Sequence, residues 1–248
     1  MTTLVLLHAF PVDSRMWNPM RAALSEVADV ITPDQRGFGQ ATLTGDEPPD
    51  LDAVADDVLA MLDARGIKSA VVGGCSMGGY VSMALLRRAP HRVSGLLLVD
   101  TRQDADDADH AASRRAMAER AEREGIDWLP DTVLPGLLAT GTPDVNPELA
   151  ARLRVVIAEQ PPSGVAWAQR AMAARRDSTD VLRAYAGPAL VIVGERDVIC
   201  PPEQAREMVA LLPAGELVEL PGCGHLSPVE APDDVAAAIT DWLARTQP

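Results

Sequence analysis

The chain has 248 residues, a formal net charge of −14, 47% hydrophobic and 23% charged residues. That length permits one large unit with a substantial core, and the composition is ordinary for a globular protein. The acidic balance argues against nucleic acid and anionic membrane surfaces as partners, because both are held through basic patches. No apolar run approaches the roughly 20 residues needed to span a bilayer.

The first apolar run, Leu4 to Leu7, reads as a buried strand over about 3–8. It is too short for the apolar region of a signal peptide, and no basic segment precedes it. Three cysteines, Cys75, Cys200 and Cys223, give no paired framework, so a reduced, cytoplasmic protein is expected. Cys200 and Cys223 each lie close in sequence to a candidate site residue and are candidate spatial neighbours. Further short apolar runs place strands at about 28–32, 69–75, 94–100, 188–194 and 216–220. Helical patterns at about 17–26, 50–65, 77–90, 202–212 and 232–245 alternate with them. Short, wholly apolar strands alternating with helices imply a parallel sheet covered on both faces.

Between the fourth and fifth strands lies an excursion, about residues 101–185, with helical patterns at Ala111–Glu124, Trp128–Ala139, Pro147–Glu159 and Ser163–Arg175. We read it as a four-helix cap over a core made of residues 1–100 and 186–248. Trp128, Leu134 and Leu137 on the second cap helix, with Trp167 and Met172 on the fourth, are candidates for an apolar roof over a substrate. The same residues could simply pack the cap onto the core. The run from Asp104 to Asp109 lacks the glycine and spaced glutamate of a calcium loop and reads as acidic residues opening a helix. No metal site is expected.

Gly74-Cys75-Ser76-Met77-Gly78 joins the third strand to the helix that follows. This is G-x-S-x-G in strand–turn–helix context, where the serine sits on a tight turn with its hydroxyl exposed beside a helix N-terminus. A serine nucleophile needs a base, and the base needs a group that holds its tautomer. Of four histidines, His91 follows a proline at a helix end and His110 lies in the acidic run. His225 lies in Pro221-Gly222-Cys223-Gly224-His225, a glycine-rich loop after the sixth strand, and is the candidate base. The fifth strand runs into Gly194-Glu195-Arg196-Asp197. Asp197 is the preferred acid; Asp100, at the end of the fourth strand, and Glu195 are its competitors. The order Ser76, Asp197, His225 is that of α/β-hydrolases.

These motifs, with Leu6-Leu7-His8-Ala9-Phe10-Pro11 and Pro33-Asp34-Gln35-Arg36-Gly37-Phe38-Gly39, give the chain its resemblance to the α/β-hydrolase superfamily. Within it, the chain resembles the 3-oxoadipate enol-lactonase, small esterase and cofactor-free haloperoxidase group. It departs from that group in having His8-Ala9 where His-Gly is usual. The resemblance implies six strands in the order 2-1-3-4-5-6, two N-terminal strands fewer than the family usually has. It also implies an oxyanion hole made by the backbone N–H groups of Phe10 and Met77. It implies a serine hydrolase for a small-molecule ester or lactone that needs no cofactor. Perhydrolysis, C–C bond hydrolysis and hydroxynitrile cleavage on the same triad are the rival reactions, and Pro11 matches a loop proline of the haloperoxidases. A ligand-binding or signalling member is the non-enzymatic alternative.

Overall fold

The computed structural model describes residues 2–43 and 48–246. Six strands, β1 (Thr2–Leu7), β2 (Ala28–Ile31), β3 (Ala70–Cys75), β4 (Val93–Val99), β5 (Ala189–Gly194) and β6 (Gly215–Leu220), form one sheet. All neighbouring strands run parallel, in the order β2-β1-β3-β4-β5-β6. Every residue of β3 and β5 is buried, as cover on both faces requires. The order reverses between β1 and β3, the point where an open parallel sheet leaves a crevice at its strand ends.

In chain order the helices are α1 (Asn18–Ser25), α2 (Leu51–Ala64), α3 (Met77–Arg88), α4 (Ala108–Glu124), α5 (Leu129–Leu137) and α6 (Thr142–Val145). Then come α7 (Pro147–Ala158), α8 (Pro162–Ala173), α9 (Thr179–Ala184), α10 (Pro202–Val209), α11 (Ser227–Glu230) and α12 (Pro232–Thr246). Helix α1 packs with α12, and α2 with α3. The excursion after β4 holds α4 to α9, two short helices more than its sequence pattern predicts. Helices α6 and α9 have 4 and 6 residues, too few for an apolar period to register. The acidic run does open a helix: Asp107 caps α4 by accepting from the His110 N–H. Asp106 does something else, pairing with Arg114 and Arg175.

The turn from β3 into α3 is tight. Ser76 has φ +52, a region that non-glycine residues rarely occupy. A Cβ at Gly74 would collide with the backbone of Gly78, and one at Gly78 with the Leu7 carbonyl of β1. Both positions need glycine because of that close approach.

Asp100, just after β4, also has positive φ and is fully buried. Its Oδ1 accepts from the Gly194 N–H at 2.9 Å, and its Oδ2 from the Ser227 N–H at 3.0 Å and the Ser227 hydroxyl at 2.6 Å. One carboxyl group therefore ties the ends of β4 and β5 to the segment after β6. Burial, then the charge of Asp197, push its pKa up to about 7, against His225 and its own hydrogen bonds, which favour the ion.

Gly74→Ala and Gly78→Ala are each expected to lower unfolding free energy by about 1–3 kcal/mol or more. Gly136→Ala, where a Cβ would meet only Ile199 at 3.5 Å, should stay within about 1 kcal/mol. Denaturant melts of the three variants decide this. Asp100 yields a second expectation. Its native pKa of about 7 lies above the ordinary 3.8, so the fold keeps a proton that the unfolded chain has lost. The stability this contributes is present below about 3.8 and disappears as pH rises through about 7. Relative to Asp100→Asn, the wild type should therefore lose up to about 1.4 kcal/mol per pH unit across that window. A wild-type-minus-variant difference that is flat from pH 4.5 to 7.5 would contradict it.

Candidate active site

Ser76, Asp197 and His225 come from the ends of three different strands and meet beneath the helical excursion. His225 Nε2 lies 2.8 Å from Ser76 Oγ, and His225 Nδ1 lies 2.8 Å from Asp197 Oδ2. Asp197 and His225 are buried, and the Ser76 side chain is the most accessible of the three. Asp197 Oδ1 accepts from the N–H groups of Ile199 at 2.8 Å and Cys200 at 2.9 Å. An ionised carboxylate only accepts, so the proton between it and His225 sits on Nδ1. That leaves Nε2 as the acceptor for the Ser76 hydroxyl.

The three acids weighed from sequence separate by their partners. Asp197 faces the imidazole. Asp100 holds Gly194 and Ser227 instead. Glu195 accepts from the Gly222 N–H at 2.9 Å on the outside of the histidine loop. That loop is further tied by Glu230, which accepts from Gly224 N–H at 2.7 Å, Ala139 N–H at 2.9 Å and the Thr142 hydroxyl at 2.6 Å.

Phe10 and Met77, the expected oxyanion donors, lie on the loop after β1 and at the start of α3. Met77 is the first residue of α3, so its N–H has no carbonyl one turn earlier. Phe10 lies just beyond β1, joined to Pro11 by a cis peptide bond. Its loop is anchored by His8, whose Nε2 accepts from the Gln35 N–H at 2.9 Å and whose Nδ1 donates to the Ala9 carbonyl at 3.0 Å. Burial lowers the His8 pKa, consistent with a neutral ring in both bonds.

Ser76, His225 and Phe10 open into a cavity of about 260 Å³. Its wall also includes Tyr80, one turn after Ser76 on α3, and residues of α4, α5 and α8. Of the five roof candidates, Leu137 and Met172 line this cavity and Trp128, Leu134 and Trp167 do not. On α5 the cavity-facing side is Thr132, Val133, Gly136 and Leu137, so Leu134 falls on the other face. Trp128 precedes the helix, donates from its indole N–H to the Gly125 carbonyl at 2.7 Å, and lies beneath Arg120 at 3.9 Å. Arg114, Met117, Gln169 and Ile199 also line the cavity and escaped sequence reasoning. Tyr80 alone among these additions had a local signal, its i+4 spacing from Ser76.

Cys75, Cys200 and Cys223 are all buried and free of disulfides. Donor atoms of Asp197, Cys200 and His225 lie within 4.8 Å of one another. Burial, and next the charge of Asp197, raise the Cys200 pKa well above its ordinary value, so a thiol and not a thiolate faces that point. An ion there would have to displace the hydrogen bond on whichever His225 nitrogen it took, since both are engaged. Among the described residues no helix is long and apolar enough to cross a membrane.

The solved structure of a thermophilic esterase from Thermogutta terrifontis, with malate bound, superposes on this chain with a TM-score of 0.97. The two are 38% identical, over 100% of this chain and 91% of that one. The 3-oxoadipate enol-lactonase 1 of Acinetobacter baylyi is 28% identical over 98% of this chain and 89% of its own length. The dihydrolipoyllysine-residue acetyltransferase component of the acetoin cleaving system of Pseudomonas putida is 32% identical over 98% of this chain. This chain spans only 64% of that relative's length. The model of the alpha/beta hydrolase fold family matches residues 2–232. With its six-stranded parallel sheet and helices on both faces, the chain belongs to the α/β-hydrolase family.

Proposed function

We propose that this chain is a serine hydrolase that cleaves a carboxylic ester or lactone through an acyl-enzyme on Ser76. The observation that carries the reading is the unbroken line of 2.8 Å contacts from Ser76 Oγ through His225 to Asp197, opening into a cavity. In this reading His225 Nε2 takes the Ser76 proton as Oγ attacks the carbonyl carbon. The Phe10 and Met77 N–H groups hold the developing oxyanion, each worth roughly 3–4 kcal/mol in the transition state. His225 then protonates the leaving alcohol, and later activates the water that releases the acid. Asp197 keeps the imidazole in the right tautomer and stabilises its charged form.

The excursion, residues 101–185, acts as the cap on a core of 1–100 and 186–248. A cavity of about 260 Å³ is below the range typical of drug-sized ligands and suits a small ester or lactone. The esterase and enol-lactonase relatives support this class of substrate.

Ser76→Ala should reduce hydrolysis of short aryl esters to background while leaving the melting temperature within a few degrees. A fluorophosphonate should add once to the wild type, and mass mapping should find it on Ser76. Asp197→Asn should lower kcat by roughly three to four orders of magnitude, the cost of a wrong tautomer. Asp100→Asn, which removes no contact to the imidazole, should cost far less. Labelling elsewhere, or the larger loss in Asp100→Asn, defeats the assignment. Peracid formation outpacing ester cleavage would move the reading to perhydrolysis, and labelling without turnover would move it to a ligand-binding member.

A further inference from the structure

Most of the wall around Ser76 is apolar, but one stretch is not. Arg114 on α4 and Gln169 on α8 both face the cavity. Arg114 Nε is held by Asp106 Oδ2 at 2.5 Å, and Arg175 Nη1 takes the other oxygen of the same carboxylate at 2.7 Å. Two guanidinium groups share one carboxylate, so this cluster carries an unbalanced positive charge. It does so in a chain whose net charge is −14.

The two arginines differ in how well the protein satisfies them. Arg175 is buried, donates to the Asp104 and Met172 carbonyls, and lies over the Tyr80 ring at 4.3 Å. Among the described residues Arg114, beyond Asp106, reaches Gln169 Oε1 at 3.4 Å, near the outer limit of a hydrogen bond, and Met172 Sδ at 3.4 Å, a weak acceptor. Gln169 is 3% exposed, and its Nε2 donates to Met117 Sδ at 3.1 Å. A thioether is a weak acceptor. A partly exposed guanidinium edge and an amide N–H₂ thus line one cavity with weak protein acceptors, and both can turn to a better one.

We propose that Arg114 and Gln169 form a carboxylate site, so that the substrate is an ester or lactone carrying a free carboxylate, such as the half-ester of a short dicarboxylic acid. The proposal rests on the reading of Ser76 as nucleophile, which lines the same cavity as Arg114 and Gln169. A planar guanidinium suits a carboxylate better than it suits any neutral ester group. The methionine and leucine side chains of the same wall suit the methylene chain.

The test compares monomethyl and dimethyl esters of succinate and glutarate as substrates of the full chain. The wild type should prefer the half-esters in kcat/KM. Arg114→Met should lower that half-ester to diester ratio by roughly 10- to 100-fold, chiefly through KM. Arg114→Lys should retain part of the preference, and Gln169→Leu should lower it less than Arg114→Met. If Arg114→Met does not fold, the other two variants carry the comparison. A second readout needs no turnover: calorimetric binding of glutarate to Ser76→Ala, which should weaken by a similar factor when Arg114→Met is added. A ratio unaffected by all three variants overturns the carboxylate site while the hydrolase reading stands. Arg114-dependent glutarate binding without hydrolysis of any ester keeps the site and removes the hydrolase reading.

Discussion

The site depends on holding one serine in a backbone conformation that it would not choose. Ser76 at φ +52 stores strain of the order of 1–3 kcal/mol, which persists only because its surroundings over-determine it. Its N–H donates to the Val99 carbonyl of β4, and its carbonyl accepts from the Thr101 hydroxyl and from the N–H groups of Gly79 and Tyr80. Glycine at 74 and 78 lets α3 come down onto the Leu7 carbonyl. The same close approach aims Oγ at His225 and leaves the Met77 amide at the first position of a helix.

The rest of the site is a set of loops that must agree with that point, and a few buried side chains enforce the agreement. The His8–Gln35 pair joins the loops after β1 and β2: the ring accepts from one N–H of Gln35, and the Gln35 amide donates back to the His8 carbonyl at 2.6 Å. Asp100 joins the ends of β4 and β5 to the segment behind His225. Glu230 joins the histidine loop to the end of α5. Gln160 joins the excursion to the first two loops, donating to Asp13 at 2.8 Å and accepting from Gly39 N–H at 3.0 Å. The helices of the excursion are therefore registered against the serine by polar contacts, while apolar packing supplies their cohesion.

This division explains what could be read from the chain alone. The strands lie within a residue or two of their expected bounds because each is a short, mainly apolar run between breakers. Ser76 and His225 announced themselves by glycines, and Asp197 by its place after a strand. The excursion was legible as helix and not as surface: periodicity identifies an apolar face but not the neighbour it meets. Leu134 and Leu137 are equally apolar on one helix, and only tertiary placement sends Leu137 to the cavity. Asp106, Arg114, Gln169 and Arg175 come from a loop and two helices, with no spacing that would group them. Asp100 reads from the chain only as a rival acid, because sequence order cannot show that its partners lie on β5 and beyond β6.

The two buried aspartates close to His225 are sorted by what surrounds them. Asp197 faces three donors: two backbone N–H groups and the imidazole N–H. None of the three can accept a hydrogen bond in return. Asp100 has the Ser227 hydroxyl at 2.6 Å, a group that donates and accepts equally well. Its proton, when present, has somewhere to go, and the charge of Asp197 gives it reason to stay. Two carboxylates beside one imidazole thus need not both be ionised at neutral pH. The acid that faces the imidazole is the one whose neighbours are all donors, and the one pushed toward the neutral form is the one that ties the loops together.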